Sequence, residues 1–251
     1  MAGYLEPKLL PMGDTAWTIE LGDAIDIDVN ARCMGLAAAV HAEVDAGTLS
    51  GVRDVVPTFR SVTVHFDPRL AVGAHLGTLL LALARDVSAP ATAKRSWRLP
   101  ACFDARLAPD LPVVTAQTGL SEAAVIAQFL STSLRVYAMG FMPGFAYMAS
   151  IPEVLACPRL STPRTQVPPK SLAIAGRMAA IYPWVSPGGW NLIGAVPLPT
   201  FDLSHSAAPA LFEAGDVVSF YAIDWEEYAH LERPVADPVA FRAQFLSGLP
   251  E

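Results

Sequence analysis

Four cations, Arg159, Arg164, Lys170 and Arg177, fall in a stretch between Glu153 and Asp202 that contains no other Asp or Glu. They give that stretch +4 within a chain whose net charge is −7, so the remainder carries −11. A guanidinium is a planar fork of donors matched to carboxylate or phosphate, and cations without a local counter-charge make a candidate anion site. The same pattern fits a solvated loop, or a patch met by acidic residues from elsewhere in the chain. Arg164 stands out because Pro163 precedes it and Pro168 and Pro169 follow, which limits its backbone freedom. Two turn motifs accompany the cations: Gly140-Phe-Met-Pro-Gly-Phe-Ala-Tyr147 and Ser186-Pro-Gly-Gly-Trp-Asn191. Glycine permits close backbone approach, so amides at such turns can cradle an oxyanion while Phe145 or Trp190 walls the pocket. Ordinary turn punctuation beside core aromatics is the alternative. The candidate catalytic residues are therefore Arg164 and Arg177. The candidate substrate contacts are Pro143, Gly144, Phe145, Ser186, Pro187, Gly188, Gly189, Trp190 and Asn191.

The chain has no P-loop, no dinucleotide fingerprint, no His-Glu-x-x-His and no Gly-x-Ser-x-Gly, and no metal site is expected. Asp202, Ser204 and His205 are neighbours in sequence, which is weak support for a triad that must assemble in space. The five histidines read as structural.

The elements that must position these residues differ between the two halves. Trp17, Ile19 and Leu21 alternate with polar residues as in a half-buried strand. Val29, Cys33, Leu36, Ala37, Val40 and Val44 then share a helical face, with Asp28 as N-cap and Gly47 after the end. Strands over 52–56 and 61–66 follow, then a helix carrying Leu76, Leu79, Leu80 and Leu83, then a strand at Trp97 and Leu99. This β-α-β-β-α order, with the last strand a candidate to complete it, suits a small ferredoxin-like α/β domain over 1–90. A small-residue and proline stretch, 88–95, reads as a linker. Eighteen of the 22 prolines fall from Pro90 onward, between short apolar runs at 134–139, 171–175, 179–182, 190–196 and 217–222. That spacing favours a closed or nearly closed β-barrel over 91–251. It also holds one helix capped by Ser121 and a helical tail whose caps are Asp224 and Asp237. The fold class is α+β.

At 53% hydrophobic and 16% charged the chain has ample core, with apolar content to spare for a partner surface. The acidic balance argues against nucleic acid, and no apolar run reaches the ~18 to 20 residues of a membrane span. The opening lacks the pattern of a secretory signal, and Cys33, Cys102 and Cys157 make no disulfide framework, so a cytoplasmic location is expected.

The runs Arg135-Val-Tyr-Ala-Met-Gly-Phe-Met-Pro-Gly-Phe-Ala-Tyr147, Thr162-Pro-Arg-Thr-Gln-Val-Pro168, Ile181-Tyr-Pro183 and Ser186-Pro-Gly-Gly-Trp-Asn-Leu-Ile-Gly194 together resemble the family of the 5-oxoprolinase B subunit, known too as KipI or allophanate hydrolase subunit 1. Leu10-Pro-Met-Gly-Asp14, Gly51-Val-Arg-Asp-Val-Val-Pro57 and Glu213-Ala-Gly-Asp216 extend the likeness over nearly the whole chain. The resemblance implies that the barrel is cyclophilin-like. It also implies that the chain works with a KipA-like partner of the C type and a further partner of the A type, opening the lactam 5-oxoproline to glutamate with ATP as co-substrate. Relatives in biotin-dependent urea carboxylase make carboxyl transfer an alternative, and a KipI-like histidine kinase inhibitor is another. Two places depart from the family pattern: Phe129 stands where many members have histidine, and Arg177-Met178 stand where they read Ala-Gln. Met178 cannot donate or accept as glutamine can.

Overall fold

The computed structural model describes residues 3–87 and 95–247. The chain packs as two compact units, Met1–Thr92 and Ala93–Glu251. All but the last residue of the expected linker lie outside the described residues.

The first unit runs β1 (Gly3–Pro11), β2 (Ala16–Gly22), α1 (Ile27–Asp45), β3 (Val52–Pro57), β4 (Ser61–Phe66) and α2 (Gly73–Asp86). Its sheet has the order β1-β2-β4-β3 with antiparallel neighbours. Ile19, Leu21, Val62 and Val64 lie buried, as do Leu36, Val40 and Leu80 on the two helices. Two expectations change here. The strand expected to complete this sheet belongs to the second unit, and the place beside β2 is taken by β1. Helix α1 is capped by Asp26, which accepts from the amides of Asp28 and Val29; Asp28 lies in the first turn. Gly47 does follow the helix, at φ +77°, where a side chain would be strained.

The second unit runs β5 (Ser96–Cys102), α3 (Leu111–Thr118), α4 (Glu122–Leu130), β6 (Leu134–Met139), β7 (Ala146–Ala149), a one-turn 3-10 helix (Glu153–Leu155), β8 (Arg164–Val167), β9 (Ser171–Ala175), β10 (Met178–Ile181), β11 (Ser186–Gly188), β12 (Asn191–Ala195), β13 (Val217–Ile223), α5 (Trp225–Leu231) and α6 (Pro238–Ala243). Seven strands close a barrel in the order β10-β7-β6-β13-β5-β12-β9, and β8 pairs with β11 as a separate ribbon. Strands β5 and β13 run parallel, from Ser96 opposite Val217 to Cys102 opposite Ile223.

Period-two alternation sorts the barrel's side chains. Leu99, Val136, Met148, Leu172, Ile174, Ile181, Ile193 and Phe220 face a shared core that α3 and α4 enter with Val114, Val125 and Phe129. Phe129 is fully buried, 5.3 Å from Phe220 and 6.3 Å from Phe103 between ring centroids. The departure at this position therefore fills core. The opposite face of β9, β10 and β12 presents Ala173, Ala175, Ala180 and Leu192, and on it sits the aromatic cluster described next.

The caps Ser121, Asp224 and Asp237 act as expected, each side chain accepting from an amide of its helix's first turn. The three cysteines are free and buried, and burial pushes the Cys33 thiol up to about 12. Among the described residues no single helix is long and apolar enough to cross a membrane.

Candidate functional site

Phe145 is the hub of the outer aromatic cluster. Its ring centroid lies 4.9 Å from Tyr147, 5.4 Å from Tyr182, 5.4 Å from Phe141 and 6.1 Å from Trp190, all edge-on. Edge-on contacts place positive ring rims against negative faces, and a set of them holds the rings in fixed orientations. The turn before Phe145 is built for this. The Phe145 amide donates to Met142 O, and Gly144 has φ +81° with Thr200 O 2.7 Å from where a Cβ would stand. A side chain at Gly144 would force the loop off the barrel. Pro143, on the same turn, is exposed.

The second glycine turn meets the same cluster. A Cβ on Gly188 would fall 2.3 Å from the Tyr182 hydroxyl, so the strand passes directly over that phenol. Gly189 accepts from the Leu160 amide at 2.7 Å, and Trp190 is buried. Ser186 is buried on β11 and Pro187 beside it is exposed. Asn191 is fully buried, its Nδ2 donating to Pro158 O at 2.9 Å and to Ile174 O at 3.4 Å. Two carbonyl acceptors fix the amide orientation, which leaves Oδ1 buried without a donor among the described residues.

Acidic residues from elsewhere reach three of the four cations. Arg164 Nη2 lies 2.6 Å from Asp110 Oδ1, Lys170 meets Glu232 at 3.1 Å, and Arg177 meets Glu153 at 3.5 Å. Of the readings of this stretch, the patch met by acidic residues from elsewhere holds for these three. Asp110, which sequence reasoning missed, does more than neutralise. Its carboxylate is buried, its Oδ2 accepts from the Leu192 amide at 2.7 Å, and its own amide donates to Leu192 O. Arg164 is thus held by one nitrogen against a fixed anion, while its Nη1 is buried with no acceptor among the described residues. Because Arg164 pairs in register with Gly188, this guanidinium belongs to the same side of the unit as the glycine turn.

Arg177 goes elsewhere. It follows Gly176 at the β9–β10 turn, donates to Ile151 O, and its side chain is 57% exposed. Among the described residues it shares no partner with Arg164. The cation that does join the aromatics is Arg159, exposed and with its guanidinium carbon 5.8 Å from the Trp190 ring centroid. Burial pushes the Tyr182 hydroxyl above its ordinary range, opposed by the Trp190 amide and by the charges of Arg159 and Arg164. Tyr147 is likewise raised by burial and opposed by Arg159. Both arginines therefore act on one phenol. Met178 packs against the cluster, so this departure from the family pattern removes polar capacity at the aromatic wall.

A cavity of about 310 Å³ lies between the barrel and its tail, lined among others by Lys170, Leu198, His205, Glu232, Phe241 and Arg242. His205 there faces Asp202 at 3.4 Å through Nδ1 and Pro238 O at 3.2 Å through Nε2. Ser204 approaches the same Nδ1 at 3.4 Å, so the three do not form a nucleophile-base relay, which needs the hydroxyl at the other nitrogen.

Residues 7–212 match the family model described as carboxyltransferase domain, subdomain C and D. The chain is 32% identical over 231 residues to the 5-oxoprolinase B subunit of Bacillus subtilis, covering 86% of this chain and 93% of that one. It is also 32% identical over 209 residues to the Escherichia coli O157:H7 protein of the same name, covering 83% and 93%. Among solved structures it resembles TTHA0988 with TM-score 0.72 and 33% identity, over 83% of this chain and 40% of that longer one. The Kluyveromyces lactis urea carboxylase shares the fold at TM-score 0.72 and 20% identity, over 90% of this chain and 23% of that one. On this similarity the chain belongs to the carboxyltransferase subdomain C and D family, which includes the B subunits of 5-oxoprolinase.

Proposed function

We propose that this chain serves as the B-type subunit of a 5-oxoprolinase-like hydrolase, opening a small cyclic amide together with partners of the A and C types. The similarity to two 5-oxoprolinase B subunits over 93% of their length carries the reading. In it the barrel is a cyclophilin-like module whose outer aromatic face receives the substrate.

Opening a lactam moves negative charge onto the carbonyl oxygen as the carbon becomes tetrahedral. Arg164 is suited to stabilise it, since Asp110 fixes one nitrogen and leaves Nη1 free of acceptors among the described residues. Such a donor needs no reorganisation as charge develops. Phe145, Tyr147 and Trp190 exclude water. ATP is assigned to the complex.

The test is co-expression with A-type and C-type partners followed by ATP-dependent release of glutamate from 5-oxoproline. Absence of release from any lactam, while a control B-type protein restores it in the same mixture, overturns the reading. Carboxyl transfer is the second reading, favoured by the description of the matching family model. Incorporation of labelled bicarbonate into an amide, with a biotin carrier present, would establish it instead.

A further inference from the structure

Three of the four cations of the basic stretch have found carboxylates, and the fourth has not. Among the described residues no acidic side chain pairs with Arg159, although Arg164, Lys170 and Arg177 each have such a partner. Because Asp110 balances Arg164, the uncompensated charge at the aromatic wall is that of Arg159. Its contact with the Trp190 ring is one of charge against a π-face and takes none of its N–H donors in a hydrogen bond. An arginine seated this way keeps a full donor fork for a carboxylate.

The surroundings grade from wet to dry. Arg159 is exposed, while Trp190, Phe145 and Tyr182 beneath and beside it are buried. A small ring bearing one carboxylate matches that gradient, with its apolar edge on the aromatics and its charge at the rim, where part of its hydration survives. We propose that Arg159 binds the substrate's carboxylate, so that this site selects anionic cyclic amides over neutral ones. The proposal rests on the lactam-hydrolase reading above and names the group that would confer its specificity.

The test compares 5-oxoproline with 2-pyrrolidinone, the same ring without the carboxylate. In the assembled complex Arg159→Gln should lower kcat/KM for 5-oxoproline roughly thirtyfold, chiefly through KM, and leave the neutral lactam within about twofold. Arg159→Lys should recover part of the loss, because it restores charge without the planar fork. Equal losses on both lactams, or none on either, overturn the assignment while turnover by the wild-type complex keeps the hydrolase reading. Calorimetric titration of the full chain with each lactam supplies a readout independent of turnover. Binding of 5-oxoproline alone, abolished by Arg159→Gln, supports the carboxylate site even where no partner set restores activity, and the hydrolase reading then fails by itself. Binding that ignores Arg159, or no binding and no turnover, overturns the proposal.

Discussion

The aromatic face of the barrel and the cavity under its tail are built from the same materials, arginines beside aromatic rings, yet they treat polar groups in opposite ways. Under the tail, Arg242 donates to Ala208 O, Ala210 O and Leu211 O, His205 spans Asp202 and Pro238 O, and Lys170 closes on Glu232. On the aromatic face, Arg159 has no carboxylate and Arg164 Nη1 has no acceptor among the described residues. Unspent donor capacity on cations held against aromatic rings costs stability and gives the fold nothing in return, which is the mark of a surface shaped for something other than folding. A satisfied network of the tail kind holds a segment in place. The two regions should therefore answer mutation differently, the tail in stability and the face in activity.

Asp110 is where that division should break most severely, because it serves both purposes. Asp110→Ala leaves the Arg164 charge without its anion and the Leu192 amide without its acceptor. Removing one partner of a buried pair typically costs ~3 to 5 kcal/mol, which for a domain of this size is a fall of roughly 10 °C in Tm. Thermal unfolding followed by circular dichroism checks this. A variant that melts like the wild type would mean the Asp110–Arg164 pair contributes no net stability.

Arg164→Lys separates the purposes. The charge stays near Asp110, so Tm should move little, but the fork that holds one nitrogen on Asp110 and offers the other is lost. Losing one preorganised donor to a developing oxyanion costs ~2.7 to 4 kcal/mol, and turnover of the assembled complex should fall roughly a hundredfold. Near-normal turnover would return Arg164 to a purely structural role and make the aromatic face and the tail alike.

What could be read in the sequence was what depends on near neighbours. Ser121, Asp224 and Asp237 announced helix starts because a cap bonds amides two or three residues away. The runs at 134–139 and 171–175 announced strands as short, mostly apolar stretches set between Pro/Gly turns, and both strands occupy those residues. Pairings between distant residues left no local trace. The strand at Trp97 is legible, but its parallel partner β13 lies about 120 residues on, so which sheet it joins is not. Strand β1 was missed because it is a largely exposed edge strand broken by Pro7, without the alternation of a half-buried one. Helix α3 was missed because it begins Leu-Pro and shows no strong apolar stripe. At the site, the glycine turns and aromatics were legible as motifs. Asp110 was not, since it sits 54 residues before Arg164 and nothing in its own surroundings marks it.

Arg242 sharpens the contrast from the other side. Its three carbonyl contacts tie α6 to the 208–211 segment, and burial lowers its pKa from the ordinary arginine value. Hydrogen bonds from a charged donor are worth ~1.5 to 3 kcal/mol, so Arg242→Ala should lower stability by about 2 kcal/mol. Turnover measured well below the melting transition should be unchanged. Hydrogen exchange would localise the loss to the tail, and protection lost instead around β9 and β12 would show that the tail and the aromatic face are one cooperative region.

The smallest effect is expected at Arg177, the residue the sequence made a candidate equal to Arg164. Its ion pair with Glu153 is long and both side chains are mostly exposed, 57% and 82%, a geometry in which such pairs contribute ~0.5 kcal/mol or less. Its remaining contact is to Ile151 O, not to the cluster around Trp190. Arg177→Ala should accordingly leave Tm within about 1 °C and turnover of the complex within about threefold. The sign of any larger effect would be informative. A fall in turnover near that of Arg164→Lys, with Tm unchanged, would mean that the β9–β10 turn reaches the substrate once the partner proteins are assembled. The active surface would then extend beyond the aromatic face, and the pairing of charge, rather than its absence, would no longer separate the structural arginines from the functional ones.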